Sequence, residues 1–215
     1  MLALTFASTA TVALVIARVI YTGHIRYAFL IWNLFLAWLP LIFALLAAEK
    51  YSNGAGRNWR FLGLTAAWLL FFPNAPYIFT DVIHLTTSYF THFWVDLILI
   101  LLCAVTGLVL GFLSLYLMQS LVAHRFGSIA GWFFIAAVTG LSGIGICLGR
   151  FLRFNSWDVL FQPVKVYHGI GNLIAEPHLS TLAFPGLFAA FIFITYLMLY
   201  ALTHLQQFRP SFPQT

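Results

Sequence analysis

Charged side chains are scarce in this sequence. Only 7% of its 215 residues are Asp, Glu, Lys or Arg, whereas 62% are hydrophobic, and the mean hydropathy is +0.97. Soluble globular domains carry about 25% charged residues, so this composition excludes a water-soluble globular protein. The chain is predicted to be a polytopic membrane protein, and the lipid bilayer is its expected partner.

Cysteine and the common catalytic motifs are also nearly absent. The two cysteines, Cys103 and Cys147, lie in apolar stretches and predict buried thiols rather than a disulfide framework. The sequence contains no GxSxG, Walker, HExxH or CxxC pattern, so the usual hydrolase, nucleotide-binding, zincin and dithiol assignments lack support. The cofactor, any use of a metal and the oligomeric state stay open.

What the sequence has in abundance is long uncharged stretches, and six of them approach the roughly 20 residues that a membrane-spanning helix needs. They cover residues 1–17, 27–48, 61–80, 97–124, 126–149 and 177–208. We interpret the first as a retained helix, because no Lys or Arg precedes it as in a signal peptide. We expect an all-α membrane helix bundle of about six transmembrane helices, one integral domain over residues 1–215, with an interfacial segment between helices five and six.

The order of the spans predicts where ionisable residues gather. Spans one, three and five end on the same face of the membrane, here called side B, and the other face is side A. Side B receives four of the five acidic residues and five of the seven histidines. Its ionisable residues are Arg18, His24, Arg26, Asp81, His84, His92, Asp96, Arg150, Arg153, Asp158, Lys165, His168, Glu176 and His178. We expect polar chemistry on side B and simple membrane anchoring on side A.

Positive charge does not orient the chain by number, since each side carries five Lys or Arg residues. Arg150 and Arg153 are better candidates for pairing with acidic residues than for topology signals. Without these two arginines, side A has more Lys and Arg residues than side B, and Arg57 and Arg60 are among them. We therefore expect a multi-pass protein of the cell membrane with both termini in the cytoplasm. The basic residues are scattered at helix ends, which argues against nucleic-acid binding.

The first polar motif follows span three. Pro73 and Pro76 predict a break in the helix, after which Asn74 can cap a second short helix through residues 77–85. Asn74 should also satisfy backbone groups that the break frees, because lipid cannot. Sequence spacing then places one polar stripe on that helix, formed by Tyr77, Thr80, Asp81, His84 and Ser88.

Asp81 and His84 are predicted neighbours with three possible roles. The pair can bind a metal, or the carboxylate can fix the imidazole tautomer for proton transfer. Alternatively, Asp81 only accepts a local hydrogen bond and His84 lies at the interface. Ionisable groups at membrane depth are functional candidates by default, so both are taken as candidate catalytic residues.

The second polar motif lies at the side-B end of span five. The spacing of Arg150 and Arg153 predicts that they share a helical face, where two guanidiniums can bind a phosphate or carboxylate. Asn155 and Trp157 are candidate ligand-binding residues, as are Asn74 and Tyr77, and Asp158 is a candidate catalytic residue. The alternative is that the arginines extend to the interface, Asn155 and Asp158 form a helix cap, and Trp157 is an interfacial anchor.

With both motifs in view, the chain resembles a family of bacterial predicted integral membrane proteins known as domain of unknown function 1361. The resemblance rests on the run from Asn74 to His84 and on the arginine, Asn-Ser-Trp-Asp run ending at Asp158. It implies a compact multi-helix membrane protein with these two motifs as hallmarks, and it implies no activity.

Three functions remain open from the sequence. The first is an enzyme acting on an anionic or lipid-linked small molecule that Arg150 and Arg153 bind. The second is a structural or accessory protein in which Arg–Asp pairs only lock helices together. The third is a small ion or proton-coupled carrier, which the position of most polar residues at helix ends, rather than mid-span, disfavours.

Overall fold

The structure is a computed structural model and describes residues 1–54, 58–87, 92–175 and 179–204. Every regular element in these ranges is helical. The elements are α1 Leu2–Thr22, α2 Phe29–Ser52, α3 Trp59–Phe71, α4 Asn74–Tyr77, a 3₁₀ segment Ile78–Thr87, α5 Phe93–Phe126, α6 Ser128–Leu152, α7 Asp158–Phe161, α8 Pro163–Ala175 and α9 Leu179–His204. Arg57, Ser88, Glu176 and His178, which entered the predictions, lie outside the described residues.

Six helical stretches of the described chain are long and apolar enough to cross a membrane. Five contain a single helix each, α1, α2, α5, α6 and α9, and the third in chain order, Trp59–Leu85, joins α3, α4 and most of the 3₁₀ segment. The predicted all-α membrane bundle with six spans is confirmed. The polar stretch after the fifth span forms the short helices α7 and α8.

Helix α5 is the centre of the bundle. It packs against α1, α2, α4, the 3₁₀ segment and α6, while α9 packs on α6 and α3 packs on α2. Buried polar side chains along it are paired between helices: the Trp68 indole donates to Ser114 Oγ at 3.2 Å, and Tyr196 donates to Gln119 Oε1 at 2.5 Å. Lipid offers no partner for such groups, so these hydrogen bonds fix which helices meet.

Two glycines let α5 approach the broken third span closely. A Cβ atom on Gly107 would lie 2.8 Å from the carbonyl oxygen of Ala75, and one on Gly111 would lie 2.9 Å from the Ala75 Cβ. Gly107 and Gly111 form a GxxxG pattern, and here it serves close helix contact inside the bundle.

The third span breaks where proline predicts. Helix α3 ends at Phe71, and the side-chain amide of Asn74 donates to the freed Phe71 carbonyl oxygen at 3.0 Å. This confirms the expectation that Asn74 satisfies a backbone group at the break. The expectation that it caps the following helix is wrong, because its amide points back toward α3 and α4 has no side-chain cap. The expected α-helix over 77–85 is also wrong, since the chain is 3₁₀ from Ile78 onward.

We expect Gly107→Ala to lower stability by about 1–3 kcal/mol, because the added methyl meets a backbone oxygen that cannot move aside. Gly140→Ala is the matched control, since a Cβ there meets nothing within 4 Å. The measurement is thermal unfolding of both variants in mild detergent. Equal melting temperatures for the two would contradict the close packing of α5 on α4.

We expect Asn74→Leu to destabilise the protein by about 1–3 kcal/mol, because the Phe71 carbonyl then has no partner at membrane depth. Asn74 also donates to Ser156 Oγ at 2.9 Å, so Ser156→Ala, which removes only that second bond, should cost less. Thermal unfolding of the two variants separates the contributions. Full tolerance of Asn74→Leu would show that the break needs no side-chain support.

Candidate functional site

The 3₁₀ segment brings Asp81 and His84 to the same side of the chain. A 3₁₀ helix has three residues per turn, so positions i and i+3 lie directly above one another. His84 Nε2 lies 3.9 Å from Asp81 Oδ1, and the His84 ring also contacts Phe29 of α2 at 4.9 Å between centroids. The predicted proximity of Asp81 and His84 is confirmed, although an α-helix was expected to produce it.

Asp81 is the most deeply placed acidic residue of this cluster, with 1% of its surface exposed. Its Oδ2 accepts a hydrogen bond from the Asn33 side chain of α2 at 2.8 Å, and its Oδ1 lies 3.6 Å from Arg150 Nη1 of α6. One carboxylate thus joins three spans that are distant in sequence. The contact with Arg150 confirms the expected ion pair between the first and second motifs.

Small residues on α6 let this contact form. A Cβ on Gly145 would lie 3.1 Å from Pro73 Cγ, and one on Gly149 would lie 3.2 Å from the Tyr77 ring. The two helices therefore meet closely beside the break in the third span. Arg150, the next residue on α6, is thereby brought to the level of Asp81.

Arg153 does not share a helical face with Arg150, so that expectation is wrong. Helix α6 ends at Leu152, and Arg153 adopts the left-handed conformation, with φ 57° and ψ 34°. Its backbone N–H and that of Phe154 both donate to the Leu148 carbonyl, an arrangement that terminates the helix. Glycine is the usual residue at such a position, and arginine there costs roughly 1 kcal/mol.

The segment after Arg153 contains the remaining candidates, Asn155, Trp157 and Asp158. Asp158 Oδ2 accepts from the Asn155 backbone N–H at 2.7 Å, which is the capping arrangement that the sequence offered as an alternative. Asp158 is therefore held away from Arg150 and Arg153. The Trp157 ring contacts Trp32 of α2 at 6.5 Å between centroids.

A groove of about 820 Å³ lies between α2, the broken third span and α6. We call it the α2–α6 groove. Its side-B end is polar and is lined by Asn33, Asp81, His84, Arg150, Arg153 and Asn155. Asn74 and Tyr77 also line it, whereas Trp157 and Asp158 do not. Seven of the nine predicted site residues thus line one groove, namely Asn74, Tyr77, Asp81, His84, Arg150, Arg153 and Asn155.

The two arginines of the groove have much unused hydrogen-bonding capacity. Within the described residues, Asp81 is the one ion-pair partner of Arg150, and at 3.6 Å the two side chains form an ion pair rather than a hydrogen bond. Arg153 is exposed and makes no ion pair or side-chain hydrogen bond to the described part of the chain. Because each guanidinium carries five N–H donors, the groove presents two cationic donors to any bound anion.

A second buried ion pair lies elsewhere on side B. Arg18 of α1 donates from Nε to Asp96 Oδ1 at 2.7 Å and from Nη2 to Oδ2 at 3.3 Å, and Tyr27 donates to Oδ2 at 3.0 Å. Asp96 thus has Arg18 as its ion-pair partner, at 2.7 Å. The bidentate pair joins α1 to the start of α5.

Two buried or partly buried polar residues of the groove, Asn33 and Ser142, were missed by the sequence analysis. Asn33 is the only hydrogen-bond donor to Asp81 among the described side chains, and Ser142 of α6 is buried in the groove wall. The one sequence feature that could have indicated Asn33 is that it is a polar amide in an otherwise apolar stretch. Within the described residues, no three His, Cys, Asp or Glu side chains lie close enough together to bind a metal, so the Asp81 and His84 pair has no third ligand of these types.

Comparison with known proteins gives one result. No curated protein and no solved structure matches the chain. Residues 32–201 match the family described as Protein of unknown function (DUF1361), and this range includes both polar motifs and every groove-lining residue except Phe29. Because the match extends over most of the sequence, the chain belongs to the DUF1361 family.

Proposed function

We propose that the protein binds an anionic group, a phosphate or a carboxylate, at the side-B end of the α2–α6 groove. The observation that carries this proposal is the pair Arg150 and Arg153, two guanidiniums that line one cavity and lack hydrogen-bonded carboxylate partners in the described chain. Arginine recognises phosphate and carboxylate through paired N–H donors, which gives both affinity and geometric specificity.

Asp81 acts as a positioning residue in this proposal. Its carboxylate, fixed by the Asn33 amide at 2.8 Å, holds Arg150 at 3.6 Å and so restricts the guanidinium before a ligand arrives. The distance leaves the Arg150 donors available to the ligand. His84, half-exposed beside Asp81, adds an imidazole N–H to the polar end of the groove.

The arginine–aspartate pairs of side B also support a topology. Arg18 and Arg150 both pair with aspartates, so neither contributes fully to the positive charge of side B. Side A then carries the excess of Lys and Arg. We propose that both termini lie in the cytoplasm and that the groove opens on the outer face of the cell membrane, which reporter fusions at each terminus test.

The first test compares Arg150→Lys and Arg153→Lys with wild type for binding of butyl phosphate to the purified full chain. Lysine keeps the charge but loses the paired donors, so each variant should bind about tenfold more weakly. Arg60→Lys is the control, because Arg60 is an exposed side-A residue remote from the groove. Equal binding by all three variants would indicate that Arg150 and Asp81 only lock helices together.

Arg153→Gly separates binding from stability. Glycine suits the left-handed backbone at position 153, so the variant should melt at the same temperature as wild type or higher. It should nevertheless bind butyl phosphate about tenfold more weakly, because one guanidinium is gone. Retained binding, measured by titration calorimetry beside the melting curve, would exclude Arg153 from the site.

A further inference from the structure

We propose that the anion is the headgroup of a lipid phosphate whose apolar chain lies along the α2–α6 groove and enters it sideways from the bilayer. This inference rests on the proposed function and adds the class of ligand. Two guanidiniums face the same end of the groove. A phosphate monoester, with three terminal oxygens and up to two negative charges, can bind both guanidiniums and balance both of their charges, whereas a carboxylate balances one.

The groove continues from its polar end into an apolar part. On α6 its wall extends from Val138 to Arg150, which is about 18 Å at 1.5 Å per residue. This is more than half of the roughly 30 Å hydrocarbon thickness. The apolar part is lined by Leu36, Ala66, Leu69, Leu70, Val138 and Leu141. Polar and apolar parts therefore follow one another in the order in which a lipid presents its headgroup and its chain.

The groove is open on the flank that faces lipid. Leu69 of α3 and Leu141 of α6 line it and are also 37% and 52% exposed. These two exposed apolar residues lie on different helices of the groove lining, so a chain can enter beside them from the bilayer without crossing the water interface. Trp32, which also lines the groove, is 53% exposed near the headgroup end, as is common for tryptophan at membrane interfaces.

A buried hydroxyl inside the groove wall is an independent indication of a ligand. Ser142 is 1% exposed, and its Oγ has no hydrogen-bond partner among the described residues. A serine in a membrane helix commonly bonds a carbonyl one turn back, as Thr139 does with the Ala136 carbonyl at 3.1 Å. An unpaired hydroxyl in apolar surroundings is costly. A rotation of the Ser142 side chain toward the groove would let it bond an ester oxygen that joins the phosphate of a lipid to its apolar chain.

The test measures binding of dodecyl phosphate and butyl phosphate to the purified full chain in an uncharged detergent, with dodecyltrimethylammonium as the control for partitioning. We expect dodecyl phosphate to bind at least tenfold more tightly than butyl phosphate, and the ammonium compound not to compete with it. Ala66→Phe and Leu141→Trp fill the apolar part of the groove. Each should weaken dodecyl phosphate binding at least tenfold and leave butyl phosphate binding unchanged.

Ala137→Phe is the matched control for these variants, because Ala137 is exposed on α6 but does not line the groove. It should leave both affinities unchanged. Unchanged butyl phosphate binding also shows that a groove-filling variant is folded. Equal affinity for the two phosphates, or insensitivity of dodecyl phosphate to both filling variants, would overturn the lipid assignment while leaving the anion site intact. Binding of neither phosphate would overturn the proposed function as well.

Discussion

A carboxylate buried in a membrane protein needs compensation, and Asp81 shows how this chain provides it. Removing a charge from water costs several kcal/mol unless partners surround it. Here Asn33 donates to one carboxylate oxygen, while Arg150 and His84 lie near the other. These partners come from the second, third and fifth spans. The arrangement of those three spans around the side-B end is therefore tied to one side chain.

The break in the third span is what makes this cluster possible. A continuous α-helix would place positions 81 and 84 about 60° apart around its axis, whereas the 3₁₀ turn aligns them. The Asn74 amide compensates the break by bonding the Phe71 carbonyl and also reaches Ser156 beyond α6. The irregular backbone and the polar cluster thus depend on each other, because each supplies groups that lipid cannot.

The two arginine–aspartate pairs described on side B differ in how many arginine N–H donors they leave for a ligand. Arg18 is engaged by both oxygens of Asp96, and Tyr27 completes that carboxylate, so this pair is satisfied within the protein. Arg150 contacts Asp81 at the longer distance of 3.6 Å, beside a groove. Arg153, in a backbone conformation that favours glycine, stands at the same groove. The contrast is the physical basis for assigning a structural role to the first pair and a binding role to the second.

The sequence by itself determined the helical membrane class, the six spans, the break at Pro73 and the gathering of Asp81, His84, Arg150 and Arg153 on one side. These follow from hydropathy, from proline geometry and from the alternation of spans, which are local or counting properties. Only the tertiary structure decided that Asn33 serves Asp81, that Arg18 takes Asp96 and that a groove separates α2 from α6. In a membrane, helix faces toward lipid and toward protein are equally apolar, so periodicity does not show how each helix is rotated.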